Sequence, residues 1–383
     1  MQRLLPLILL SFAIVSGSAA SSAPTARLEE QEAISALKAE LKKSEADGQF
    51  SGAVLVARAG RPIFQQAYGN ANREKKIRNT VDTKFRYGSM AKMFTAVAVM
   101  QLAQTGKLKL DDPISKFLPD YPNKEVAAVT IHQLLTHTGG TGDIFSPEYE
   151  ARRSEIKEHR DYVALYGNRA LRFEPGSKHE YSNYGFVLLG RIIEVVSGES
   201  YYDYVRDHVF KPAGMSSTDS MPEEQHVKKL SVGYTRGGPG PDAPPRGPGE
   251  RSLVPTGGPL RSTEGELPYR GTSAGGGYST VGDFLKFANA LTSNRLLDAH
   301  YTALVTTGKV PARRPRAKYA YGFEDQIVAH EARRIGHGGG SMGMNGMLSV
   351  FPDSQYVVVV LANLDPPAAE RVAQFVIERL PLE

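Results

Sequence analysis

Gly88-Ser-Met-Ala-Lys-Met-Phe-Thr-Ala-Val-Ala-Val-Met-Gln-Leu-Ala103 is the stretch on which the fold turns. From Met90 to Ala103 it is apolar almost all round, which predicts a buried central helix. Ser89 follows a glycine and opens that helix. Lys92 lies three residues on, where side chains share a face. A lone ammonium inside Ala91-Lys-Met-Phe-Thr-Ala-Val97 is costly to bury unless it is paired or its pKa is lowered. A lowered pKa is what a lysine needs to accept a serine proton. The start of a helix also offers free N–H groups and a positive dipole end to a developing oxyanion. The plainer readings are a helix N-cap for Ser89 and a lysine snorkelling to water for Lys92.

Around this helix the chain alternates strand-like ends with a helical middle. Residues 29–46 carry leucines at helical spacing among Glu and Lys, a helix packed on a surface. Residues 52–59 and 61–68 are β-rich runs on either side of Ala59-Gly60, a hairpin signal. Helical spacing recurs at 131–136, 187–196, 201–210 and 281–291. Residues 347–350 and 356–362 read as strands around Pro352-Asp-Ser354, and a final helix covers 367–379. Strands at both ends with helices between predict an α+β fold, one sheet closed by both termini with a helical lobe inserted. The segment 237–260 is rich in Pro and Gly without any period, and reads as a long loop.

The bulk composition narrows the function. The 383 residues include no cysteine and no tryptophan, 41% are hydrophobic and 23% charged. That is a globular composition without disulfides, a lipidated cysteine or a thiolate metal site. The formal net charge of +5 is spread along the chain with no basic arm, so nucleic acid is not an expected partner. The first twenty residues differ: Arg3 is the only charge, 4–15 is an apolar run, and Ser16-Gly-Ser-Ala-Ala20 is rich in small residues. Too short to span a bilayer, this segment predicts a secretory signal over 1–20, a mature chain over 21–383, and a periplasmic or extracellular location without a membrane span.

Ser89-Met-Ala-Lys92 is an S-x-x-K sequence, a spacing used by serine acyl-enzymes. Ser35-Ala-Leu-Lys38 and Ser154-Glu-Ile-Lys157 share it, but lie in charge-rich stretches where both residues read as solvated surface. Tyr181-Ser-Asn183 is a Y-x-N sequence that Tyr68-Gly-Asn70, Tyr121-Pro-Asn123 and Tyr166-Gly-Asn168 repeat. Only Tyr181 sits between a turn, Phe173-Glu-Pro-Gly176, and a helix start, where its hydroxyl can face a cleft. His337-Gly-Gly-Gly340 precedes the C-terminal strands. Its glycines let a substrate approach the backbone and leave N–H donors free, or else form a flexible hairpin loop. His137-Thr-Gly139 has the same H-x-G spacing but ends a helix, where a histidine caps the last carbonyls, and is read as structural.

In order and spacing, Ser89-x-x-Lys92, Tyr181-x-Asn183 and His337-x-Gly339 resemble the three motifs of the serine β-lactamase and penicillin-binding protein superfamily. The chain looks most like its branch of class C β-lactamases, D-aminopeptidases and β-lactamase-like esterases. Leu134-Leu-Thr-His-Thr-Gly-Gly140, Lys211-Pro-Ala-Gly-Met215 and Ala274-Gly-Gly-Gly-Tyr-Ser-Thr280 agree with it.

The resemblance implies a β-lactamase/transpeptidase-like fold: an α/β lobe over about 29–88 and 270–383, and a helical lobe over about 89–269. It implies Ser89 as nucleophile, Lys92 as its base partner and Tyr181 in proton transfer to the leaving group. Asn183 would orient the substrate, His337 line its wall, and the N–H groups of Ser89 and Gly340 form the oxyanion hole. No metal or organic cofactor is implied, and the substrate would be a small ester, amide or peptide. His337 stands where lysine is frequent in the superfamily. A neutral imidazole, of ordinary pKa about 6.5, predicts poor handling of carboxylate-bearing substrates, improving as pH falls towards 6. The expected function is therefore an exported serine hydrolase of esters or peptide-like amides. A β-lactamase or D,D-carboxypeptidase is the second reading, and a non-catalytic binding or sensor protein the third.

Overall fold

A computed structural model describes residues 27–237, 258–312 and 314–382. The segment 1–20 and most of the Pro/Gly-rich stretch 237–260 lie outside the described residues. Helix α1 (Glu30–Ala46) buries Ala33, Leu37, Leu41 and Ser44, a single stripe. The hairpin β1 (Gly52–Arg58) and β2 (Arg61–Tyr68) turns at Ala59-Gly60, both at positive φ. Helix α2 (Ala91–Gln104) is buried on nearly every side. Helices α3 (Ile131–Leu135), α4 (Asn183–Ser197) and α5 (Val281–Thr292) follow.

The C-terminal part supplies β3 (Val310–Pro311), β4 (Ala317–Tyr319), β5 (Glu324–Ile327), β6 (Arg333–Ser341), β7 (Met344–Phe351), β8 (Tyr356–Ala362) and helix α6 (Ala368–Ile377). These strands and the N-terminal hairpin form one eight-stranded antiparallel sheet, in the order β2-β1-β8-β7-β6-β5-β4-β3. The two termini meet in it, because β1 pairs with β8 from Gly52↔Ala362 to Arg58↔Tyr356. Period-2 alternation divides its side chains between two cores. Val54, Val56, Val358 and Val360 pack under α1 and α6. Leu55, Leu348, Val359 and Leu361 pack with α2, α4 and α5 on the other face. The fold is α+β, an antiparallel sheet flanked by helices with a helical region inserted between β2 and the C-terminal strands.

Two expectations are corrected here. The His337-Gly-Gly-Gly340 run is no hairpin loop but the middle of β6, paired with β7 from His337↔Leu348 to Gly340↔Asn345. Gly339 admits protein backbone: a Cβ there would stand 2.0 Å from the Tyr87 carbonyl oxygen and 2.9 Å from the Ser89 nitrogen. In the same way a Cβ on Gly88, at φ +54°, would stand 2.9 Å from the Gly340 nitrogen. Strand β6 and the turn carrying Ser89 therefore lie backbone against backbone. His137 also departs from its expected capping role. The C-cap of α3 is Thr136, and the His137 ring turns inward, 1% exposed, towards residues 181–182.

Candidate active site

Ser89 lies in a single 3₁₀ turn, Gly88–Met90, immediately before α2. No side chain caps either the turn or the helix, so Ser89 is not an N-cap. It is half-buried, whereas Lys92 one turn later is 0% exposed. Lys92 Nζ lies 3.3 Å from Ser89 Oγ and 2.7 Å from Asn183 Oδ1, and also donates to the Ala274 carbonyl. Its remaining neighbours are ring faces, Tyr181 at 4.7 Å and Phe186 at 5.4 Å from Nζ to centroid.

Burial pushes Lys92 down to about 7, and the negative charge of Asp143 opposes the shift. That position suits the geometry. A neutral amine has two N–H groups and one lone pair, and two carbonyl oxygens accept from Nζ while Ser89 Oγ faces the remaining direction.

The Tyr181 hydroxyl interacts with the Ser89 side chain. Burial drives its hydroxyl well above the ordinary value, an effect the interaction with Ser89 reduces, so the group is a phenol at neutral pH. Asn183 begins α4, whose N-cap Ser182 accepts from the Gly185 N–H at 2.9 Å. While Asn183 Oδ1 accepts from Lys92, its Nδ2 donates to both oxygens of Asp143, at 3.0 and 3.1 Å.

His337 is 4% exposed. Its Nδ1–H donates to the Gly338 carbonyl, and Nε2 accepts from the Tyr319 hydroxyl at 3.0 Å. Burial lowers its pKa to about 4, although Glu324 pulls in the other direction. The ring therefore stays neutral at pH 6, which corrects the expectation that mild acid would charge it. Its centroid lies 6.4 Å from that of Tyr181. Gly340 is held by its neighbour in register: Asn345 Nδ2 donates to the Gly339 carbonyl at 2.9 Å, and Oδ1 accepts from the Ala369 N–H at 2.6 Å.

The structure thus brings Ser89, Lys92 and Asn183 into one hydrogen-bonded group against the Tyr181 ring, with His337 and the Gly339–Gly340 backbone beside it. The duplicate motifs are spent elsewhere. Ser35 and Ser154 are exposed, as are Lys38 and Lys157. The Tyr121 hydroxyl bonds to Tyr184, Tyr166 donates to the Ile144 carbonyl, and Asn123 caps a short helix. A cleft of about 720 Å³, lined among others by Arg78, Arg86, Glu223 and Lys229, includes none of the six site residues.

Two contributors were not singled out from the sequence, Asp143 and the Ala274 carbonyl. Residues 272–276 are anchored from behind: Thr95 Oγ1 donates to the Ser273 carbonyl at 2.7 Å, and Ser273 Oγ bonds to His159 Nε2 at 2.9 Å. His159 Nδ1 bonds in turn to Glu194 at 2.9 Å. Asp143 follows the glycine-containing run Gly140-Thr-Gly142, the one local signal that could have drawn attention to it.

The family model described as Beta-lactamase matches residues 34–380. The chain belongs to the β-lactamase family. Among its relatives in that family, "Penicillin-binding protein 4*" of Bacillus subtilis (strain 168) is 28% identical over 327 residues, 82% of this chain and 68% of that protein. A penicillin-binding protein from Bacillus halodurans has a similar structure, with a TM-score of 0.75 at 30% identity, covering 87% of this chain and 98% of that one. So has a D-stereospecific amidohydrolase from Streptomyces sp., with a TM-score of 0.71 at 26% identity, covering 90% of this chain and 97% of that one.

Proposed function

We propose that this β-lactamase family protein is an exported serine hydrolase that cleaves an ester or peptide-like amide through an acyl-Ser89 intermediate. The observation that carries the reading is Lys92. A fully buried amine, lowered to about 7 and donating to two carbonyl oxygens, lies 3.3 Å from the hydroxyl of a half-buried serine. In its neutral form Lys92 takes the proton as Ser89 Oγ bonds to the substrate carbonyl carbon. The N–H groups of Ser89 and Gly340 receive the oxyanion. Tyr181 relays a proton to the leaving group as the carbonyl–leaving-group bond breaks. Water then attacks the acyl ester, and the Ser89 hydroxyl is restored. Asn183 holds Lys92 in place and orients the substrate. The likeness to a D-stereospecific amidohydrolase supports an amide substrate. Export rests on the composition of residues 1–20.

The relatives that carry penicillin-binding in their names favour a second reading, acylation by penicillins or D-alanyl peptides. The uncharged His337 weighs against a wall built for their carboxylate.

Treatment with a fluorophosphonate or a fluorescent penicillin, followed by peptide mass spectrometry, tests the nucleophile. The adduct is expected on the peptide containing Ser89, and turnover should vanish in Ser89→Ala. An adduct on Ser35 or Ser154, or full activity in Ser89→Ala, overturns the reading. Chromogenic esters, D-amino-acid amides, D-alanyl peptides and a cephalosporin, assayed side by side, then separate the two substrate classes.

A further inference from the structure

We infer that His137 is a positioning residue that holds Tyr181 in its proton-transfer geometry, an assignment that rests on the serine hydrolase reading above. His137 holds the chain on both sides of Tyr181. Its carbonyl accepts from the Glu180 N–H at 3.0 Å, and its Nδ1 accepts from the Ser182 N–H at 3.1 Å. Between those two bonds the Tyr181 ring lies over the imidazole, with centroids 4.3 Å apart and planes inclined by 36°. Phe186 and Tyr319 pack on the same imidazole, at 5.0 and 4.6 Å. A tyrosine on a loop is thereby fixed at its backbone and its ring, while its hydroxyl stays turned to Ser89.

Two features are costly unless they serve this purpose. His137 adopts φ +57°, a left-handed conformation uncommon for any residue with a Cβ, although His, like Asn and Asp, is found there more often than most. Because Nδ1 accepts, the ring proton sits on Nε2, and Nε2 is buried with no hydrogen-bond partner among the described residues. A phenylalanine would fill the same space without that unsatisfied donor. It would also leave the Ser182 N–H without its acceptor. The histidine is the side chain that combines a flat ring for Tyr181 with an acceptor at the Ser182 nitrogen.

The test separates the acceptor from the ring. His137→Phe keeps a ring and removes the acceptor, whereas His137→Asn keeps an acceptor near the Nδ1 position and tolerates the positive φ. A catalytic group displaced by about 1 Å can lose about 100-fold in rate. His137→Phe is therefore expected to lower kcat on a chromogenic ester about 100-fold with KM within about threefold. Acylation of Ser89 by the fluorophosphonate should slow in parallel, and His137→Asn should stay within about tenfold of the wild type. A folded His137→Phe with wild-type kcat, or Phe and Asn variants equally impaired, overturns the inference.

The ring tautomer provides a readout in the wild type that does not depend on how the variants fold. Nitrogen-15 spectra at neutral pH, with His137 assigned by the signal lost in His137→Asn, should show the Nε2–H form. An Nδ1–H ring refutes the contact to Ser182. Full activity in Ser89→Ala would instead sink the hydrolase reading and leave the tautomer result standing.

Discussion

Lys92 and Arg334 are two buried cations on opposite faces of one sheet, 0% and 3% exposed, and they are treated in opposite ways. Arg334, on β6, has a carboxylate: its Nη2 donates to Glu324, while Nη1 lies 3.3 Å from Met347 Sδ and 3.5 Å from Ser349 Oγ. Burial, the largest influence, would raise the Glu324 carboxyl, but its basic neighbours, Arg334 first among them, together more than offset this and hold it below the ordinary value. Lys92, on α2, has only neutral oxygens at hydrogen-bond distance among the described residues, two carbonyls and the Ser89 hydroxyl, and Asp143 reaches it through Asn183. An ion pair fixes protonation and belongs to the architecture. A buried amine given acceptors but no direct counter-ion is held where its proton comes and goes near neutral pH.

The largest expected effect lies on the Lys92 side. Lys92→Arg restores a permanent charge of about the same reach and should lower acylation by about 1,000-fold or more. Tyr181→Phe should cost a similar amount, and the double variant far less than the product, as expected of two residues in the one proton transfer proposed above. In the wild type, Lys92 is protonated below about 7 and cannot accept, so kcat/KM should rise with pH through that value and level above it. An active Lys92→Arg enzyme, or a rate that is flat from pH 5 to 9, would erase the contrast between the two cations.

On the other face of the sheet the expected loss is in stability. Arg334→Met leaves the Glu324 carboxylate, 22% exposed, without its partner and should destabilise the protein by about 1.5–3 kcal/mol in urea titrations. Adding Glu324→Gln should recover most of that loss. A cost below about 1 kcal/mol would mean that Arg334 is held by packing alone.

The smallest expected effect concerns His337, which shares β6 with Arg334 but lies beside Tyr181 in the proposed catalytic group. With its pKa near 4, the ring brings no charge to a substrate carboxylate at pH 6–8. The ratio of kcat/KM for D-alanyl peptides to that for neutral esters should therefore stay level across that range in its His337 contribution. His337→Lys should raise the ratio about tenfold, the equivalent of about 1.4 kcal/mol. An unchanged ratio would show that the substrate carboxylate does not face this wall.

Much of this was legible in one dimension because it rests on local patterns. The stripe of α1, the hairpin at Ala59-Gly60 and the all-round apolar α2 follow from periodicity and turn chemistry. The choice of Ser89 over Ser35 and Ser154 followed from hydrophobic context. What escaped is long-range. The glycine run of β6 has neither β-branched residues nor alternation, and it is a strand because β7 pairs with it and the Ser89 turn lies against it. Asp143 and the Ala274 carbonyl reach Lys92 from segments 51 and 182 residues away in sequence, the first through Asn183. No spacing rule links such positions.

The sequence by itself determined the family, the α+β class and the order of the motifs, since hydrophobic period and motif order are properties of the chain. The tertiary structure decided the protonation of Lys92, Tyr181 and His337 and the inward turn of His137. Those depend on burial and on which oxygens and charges lie within a few ångströms, and neither is set until distant segments pack together.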